Sequence, residues 1–162
     1  MEKNRISKDQ YYLNIARDVA ERATCLRRKF GAVIVKDDAI VATGYNGAPR
    51  GCLDSLTAGW CYREENHIPS GERYEMCRSV HAEQNAIMHA GRDKTLGSTL
   101  YLSGVDTKTN QLSGFESCLM CTKMIINAGI ARVVVHRSDG SFTQHSLQDM
   151  IGKFEETFKR KK

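Results

Sequence analysis

The amino-acid sequence predicts an α/β protein of three layers, α/β/α, built around a central mixed sheet of about five strands. Two stretches, Gly31–Val35 and Ile40–Tyr45, carry strand patterns separated by a polar turn at Lys36-Asp37-Asp38, which makes a hairpin and an antiparallel pair. Further on, Thr99–Ser103, Cys118–Ala128 and Ile130–Val135 read as strand, helix and strand, a series that joins parallel strands through a right-handed crossover. Helical patterns near both ends of the chain supply apolar faces to cover the sheet.

In chain order, Ser7 is a candidate cap for a helix reaching to about Arg28, with Tyr12, Ile15, Ala16, Val19 and Ala23 as its apolar stripe. The hairpin follows, and Asn46-Gly47-Ala48-Pro49-Arg50-Gly51 is a loop placed to form the lip of a pocket. Cys52 to Met76 has no firm periodicity, and a long irregular segment in a compact protein is either functional or held by something. Val80 to about Gly91 is helical. Gly104 to Glu116 reads as a protruding hairpin or loop after the third strand. The next helix stops at Gly129, which suits a left-handed terminus. Ser138 to Thr143 is a loop, and Leu147 to Phe158 a last amphipathic helix.

At 162 residues the chain is of single-domain size, 1–162, with no linker or internal repeat. Its 41% hydrophobic and 27% charged residues are ordinary for a soluble protein. No apolar run follows Met1 and none approaches a bilayer span, so neither secretion nor membrane insertion is indicated and a cytoplasmic location is expected. Six cysteines without a signal peptide point to metal ligation before disulfides. The net charge of +5 lies partly in Lys159-Arg160-Lys161-Lys162, a solvated tail with no interleaved aromatics to stack bases, so nucleic acid is not the expected partner. A positive balance better suits a phosphorylated small molecule.

The chemistry concentrates in Ser79-Val80-His81-Ala82-Glu83-Gln84-Asn85-Ala86-Ile87 and Ser117-Cys118-Leu119-Met120-Cys121. His81 can offer an imidazole nitrogen, and Cys118 and Cys121 thiolates, to one Zn²⁺. Three protein ligands leave the fourth position for water, as in catalytic zinc, whereas structural zinc is closed by four. Water there has its pKa lowered from roughly 16 towards about 7. Glu83 is placed to take its proton and pass it to a ring nitrogen and then to a leaving amine, which describes hydrolytic deamination of an amino-substituted base. Each half alone is ambiguous, since His-x-Glu is common and Cys-x-x-Cys also serves redox pairs and structural zinc. Together, in this order, they match the zinc nucleobase deaminase signature, with Ser117 in place of its proline. Cys25, Cys52, Cys61 and Cys77, with His67 as an alternative ligand, form a candidate second, structural zinc site; the competing reading is buried cysteines acting as small hydrophobes.

Beyond the zinc motif, the chain resembles the deoxycytidylate (dCMP) deaminases of the cytidine deaminase superfamily. The resemblance runs from about Ser7 to Val135, through Gly31-Ala32-Val33-Ile34-Val35-Lys36, Thr43-Gly44-Tyr45-Asn46-Gly47, Ile68-Pro69-Ser70-Gly71-Glu72-Arg73 and Ile125-Ile126-Asn127-Ala128-Gly129-Ile130. It implies a cytidine-deaminase-like fold that converts dCMP to dUMP and ammonia for thymidylate supply, with zinc on His81, Cys118 and Cys121 and with Glu83 as proton shuttle. It further implies Asn46 at the sugar, Arg27 at the 5′-phosphate, and backbone groups of Ala82 and Ser117 at the pyrimidine edge. The family's second zinc cluster supports the Cys25, Cys52, Cys61 and Cys77 set. Arg92 resembles an effector-linked arginine, and the family implies a homo-oligomer, often a hexamer, activated by dCTP and inhibited by dTTP. Two departures bear on the substrate. Gly104 to Phe115 is an insertion beside the pocket rim, and Arg137 stands near where the family offers a tyrosine to phosphate. The rival readings are a deaminase acting on another base, nucleoside or nucleotide, and a non-catalytic zinc-stabilised binding protein.

Overall fold

Alternation along the strands sorts the apolar residues onto two faces, and this decides where the helices lie. In the computed structural model, which describes residues 5–160, β1 (Arg28–Lys36) and β2 (Ala39–Tyr45) form the hairpin. β1 pairs antiparallel with β3 (Thr99–Asp106), and β3 runs parallel to β4 (Arg132–His136). β5 (Phe142–Ser146) closes the sheet antiparallel to β4, giving the order β2-β1-β3-β4-β5. Val33, Val35, Tyr101 and Val134 face helix α1 (Lys8–Ala20) through Tyr12, Leu13 and Ala16. Their neighbours in the pleat, Ala32, Ile34, Leu100, Leu102, Val133 and Val135, face the other way. There they meet α4 (Ala82–Ala90), α6 (Leu119–Asn127) and α7 (Leu147–Thr157). The mixed five-strand sheet with helices on both faces is therefore as the sequence predicts.

Two glycines let helices sit close on this sheet. A Cβ on Gly31 would lie 1.9 Å from the Ala16 carbonyl oxygen in α1. A Cβ on Gly44 would lie 2.4 Å from both the Ala82 carbonyl oxygen and the Ala86 nitrogen of α4. With alanines at 82, 86 and 90 buried against it, α4 rests on the hairpin almost backbone to backbone.

Three local readings change. The first helix stops at Ala20 instead of running to about Arg28, because Thr24 N–H is taken by the Asn46 carbonyl and Arg28 already pairs with Asp106 in the sheet. Sheet pairing overrides a helical pattern of modest strength. The irregular segment contains one-turn helices, α2 (Ser55–Ala58) and α3 (Tyr62–Glu65), and a 3₁₀ turn at Tyr74–Met76, all too short to leave a periodic signal. β5 is a strand that the reading of Ser138 to Thr143 as a loop cuts short. The loop itself is tighter, Arg137 N–H bonding the Ser141 carbonyl with Gly140 at φ 83°. β5 is an edge strand, half exposed and polar, so its alternation is faint.

Gly104 to Glu116 is the hairpin the sequence suggests: Asp106 N–H bonds Gln111 O at 3.0 Å and Ser113 N–H bonds Gly104 O at 2.9 Å. α5 (Arg92–Thr95) links α4 to β3. Of the terminal basic run, Lys159 pairs with Glu156 at 3.0 Å, and Lys161 and Lys162 lie outside the described residues. Among the described residues no helix is long and apolar enough to cross a membrane.

The substitution Gly31→Ala is expected to push α1 off the sheet and destabilise the fold by about 1–3 kcal/mol, read as a lower urea midpoint.

Candidate functional site

α4 and α6 lie side by side on one face of the sheet, and both begin at the same end of a cleft of about 320 Å³. His81 is the N-cap of α4 and Cys118 the N-cap of α6, so each stands at the positive end of a helix dipole, where thiolate charge is favoured. Cys121 follows one turn into α6 and is fully buried. Nδ1 of His81 lies 3.4 Å from Cys118 Sγ and 3.3 Å from Cys121 Sγ. Zn–S and Zn–N bonds of about 2.3 and 2.0 Å meeting at a tetrahedral angle span about 3.5 Å, so this donor set fits zinc in both chemistry and spacing.

Hydrogen bonds from the Gly44-Tyr45-Asn46-Gly47 stretch and from Gln84 hold the backbone on either side of His81. Gly47 and Val80 exchange backbone hydrogen bonds of 2.8 and 3.1 Å. Asn85 Nδ2 donates to the Tyr45 carbonyl at 2.8 Å, and the His81 N–H donates to Gln84 Oε1 at 2.9 Å. The buried Asn46 accepts from Phe30 N–H at 2.7 Å and donates to the Arg28 carbonyl at 3.0 Å. Its amide thereby locks the entry of β1 and keeps one hydrogen and one lone pair for the cleft that it lines.

Charge in the cluster is unevenly held. Burial pushes His81 down, but the Cys118 and Cys77 sulfurs and the Glu83 carboxylate outweigh it and raise the imidazole to about 10. A hydrogen bond from Cys121, helped by His81 against burial, brings Cys118 down to about 4. Cys121 is pushed up, first by that same bond and then by burial. Glu83 is buried, which raises its carboxyl, while its own backbone N–H and His81 pull the other way. Ser117 Oγ donates to Glu83 Oε1 at 3.2 Å, tying the acid to the residue before Cys118.

The remaining candidates divide. Arg27 lines the cleft with its guanidinium 3.6 Å from Glu64. Arg137 does not line it and instead pairs with Glu116 at 3.5 Å, beside Lys153 and His145, because the tight turn after β4 aims it at that carboxylate. Ala82 and Ser117 sit between lining residues. Arg92 opens α5 on the surface, outside the lining. Cys25, Cys61 and Cys77 line the cleft, whereas Cys52 is exposed and apart from it, as is His67. Among the described residues the only group of three or more ligand atoms brought within 4.8 Å of one another is His81, Cys118 and Cys121. Of the four other cysteines, three share the lining of the cleft without forming such a group, and Cys52 lies apart from them.

Sequence reasoning missed Arg63. It is buried, donates to the Pro69 and Glu72 carbonyls at 2.6 and 2.7 Å, and lies 4.5 Å from the centre of the Tyr74 ring. Tyr74 in turn meets the His81 ring edge to face at 5.3 Å. Arg63 therefore staples the Pro69–Glu72 loop over His81. Its position in an aperiodic segment gave no signal beyond the length of that segment. The substitution Arg63→Met is expected to cost about 1.5–3 kcal/mol and to speed proteolysis within 67–74.

A three-layer sheet sandwich with a soft His/Cys/Cys cluster and a buried acid beside it is the arrangement of a metal-dependent hydrolase. The chain belongs to the family described as the cytidine and deoxycytidylate deaminase zinc-binding region, whose model matches residues 6–137. It is 38% identical over 131 residues to the deoxycytidylate deaminase of Mycobacterium phage D29, covering 78% of this chain and 91% of that protein. It is 34% identical over 134 residues to the deoxycytidylate deaminase of Schizosaccharomyces pombe, covering 83% of this chain but only 38% of that longer protein. Its fold matches that of the dCMP deaminase of cyanophage S-TIM5 with a TM-score of 0.57 at 23% identity, over 93% of this chain and 94% of that one.

Proposed function

We propose that the protein deaminates dCMP to dUMP and ammonia. The observation that carries this reading is the His81, Cys118 and Cys121 cluster beside the buried Glu83, in a cleft that Arg27, Arg28 and Arg63 also line. The names of the relatives support dCMP as the substrate. In this reading His81 Nδ1 and the two sulfurs hold zinc, which supplies Lewis-acid activation of water near neutral pH.

The chain's own groups do the rest. Glu83 accepts the proton released by water and delivers it to the ring nitrogen of cytosine, then a proton to the amine as it departs. Ser117 Oγ, bonded to Glu83 Oε1, aims that carboxylate. Asn46, its amide already fixed by β1, faces the sugar with its remaining hydrogen-bonding capacity. Arg27 and Arg28 at the cleft draw the 5′-phosphate, a guanidinium being able to grip it through two hydrogen bonds. The reading takes a single cytoplasmic domain working as a homo-oligomer. Leu53, Leu56 and Met88, each more than half exposed, support surfaces covered by another copy. dCTP and dTTP as opposing effectors belong to the same proposal, with Arg92 as the exposed basic contact.

Ammonia release from dCMP by the zinc-loaded protein tests the reaction, and absence of turnover with and without dCTP overturns it. The substitution Glu83→Gln is expected to lower kcat by about 10²–10⁴-fold while zinc stays bound. Metal analysis is expected to find a single zinc per chain, lost in Cys118→Ser and retained in Cys25→Ser.

A further inference from the structure

One wall of the cleft differs in character from the rest. Arginines, Asn46, Ser70 and Glu83 line most of it, but Phe30 and Phe115 meet there with ring centres 4.5 Å apart. Phe30 comes from β1 and Phe115 from the end of the hairpin that follows β3. The two rings meet over Gly104, which pairs with Phe30 in the sheet. A Cβ on Gly104 would lie 2.4 Å from Phe30 Cε1 and 3.0 Å from Phe115 Cε1, so the absence of a side chain there is what lets both rings, tilted 58° to each other, close over β3. The hairpin is anchored twice, by its own ladder and by Thr107, whose hydroxyl donates to the Leu26 carbonyl at 2.6 Å and whose N–H donates to the Arg27 carbonyl at 3.2 Å.

The wall runs between two fixed points. At one end the Phe30 N–H is held by Asn46 Oδ1 at 2.7 Å, and at the other Phe115 lies two residues before Ser117, which bonds Glu83. A nucleotide whose reacting carbon stands at Glu83 and whose sugar reaches Asn46 occupies the cleft that both rings line. Neither ring offers a donor or acceptor, and the one backbone N–H at Phe30 is already spent.

We propose that Phe30 and Phe115 form a specificity-determining wall that selects 2′-deoxyribonucleotides over ribonucleotides. A CH₂ at the 2′ position packs on the rings. A hydroxyl turned to the rings loses water and finds no donor or acceptor on either of them, a penalty worth about 10–100-fold in kcat/KM, while Asn46 keeps its free hydrogen-bonding capacity for the other side of the sugar. The inference rests on the dCMP reading above and deepens it, since the wall decides which sugar the same site accepts.

The test compares kcat/KM for dCMP and CMP, and dissociation constants for dUMP and UMP, in the zinc-loaded wild type, Phe115→Ala and Phe115→Leu. Zinc content and thermal midpoint serve as checks of folding. Phe115→Ala is expected to raise KM for dCMP about tenfold with little change in kcat, and to shrink the dCMP-to-CMP preference about 10-fold or more, with the dUMP-to-UMP binding ratio shrinking in step. Phe115→Leu, still apolar, is expected to keep most of the preference. A folded Phe115→Ala protein with wild-type ratios in both turnover and binding overturns the wall while leaving the dCMP reading intact. Wild-type protein that neither turns over dCMP nor favours dUMP over UMP overturns both. If Phe115→Ala loses zinc or melts early, Phe115→Thr, which fills more of the space than alanine and adds a hydroxyl, replaces it and is expected to shrink the same ratios.

Discussion

Everything at the site depends on two helix N-termini being brought to one point. A histidine and two cysteines separated by more than thirty residues meet only because α4 and α6 share one face of the sheet and start at the same edge. The sheet enforces this. The parallel step from β3 to β4 obliges α6 to cross on that face, and the close seat of α4 over Gly44 sets how deep His81 and Glu83 reach. Had Gly44 any side chain, the Ala82 and Ala86 backbone would be displaced, and the residues on either side of Ala82 are His81 and Glu83.

The electrostatic design follows from this placement. Two N-caps point positive helix ends at the sulfurs, while Cys118 and Cys121 share one proton unequally, so one thiolate is present well below neutral pH. Glu83 sits in the same first turn yet is buried, which holds back its ionisation and leaves it able to carry a proton in either direction. A soft cation and a proton-carrying acid are thus accommodated within a few residues of one another without competing for the same atoms.

Much of this was legible in the sequence, for identifiable reasons. His81, Glu83, Cys118 and Cys121 announce themselves because metal chemistry tolerates few residue types and fixed spacings, and β1, β3 and β4 announce themselves because they are buried on both faces and nearly continuous in apolar residues. What stayed hidden was set by long-range contact. β5 is half-exposed and polar, so only its pairing with β4 marks it as a strand. The end of α1 is decided by Asn46 and Asp106, both far along the chain. Arg63 and the Phe30 and Phe115 pair have no spacing relation at all, and the placing of Cys25, Cys61 and Cys77 on one cleft with Cys52 outside it is set by loops that leave no periodic signal.

The hairpin that carries Phe115 closes its ladder on itself and reaches the body of the protein through Thr107 and the ring stack. Its tip can therefore lengthen, shorten or change composition without moving a ligand of the metal or a turn of α6. Selectivity and reactivity are in this way assigned to parts of the chain that can vary on their own. Descendants of such a scaffold are free to take up new nucleotides while the hydrolytic centre stays as it is.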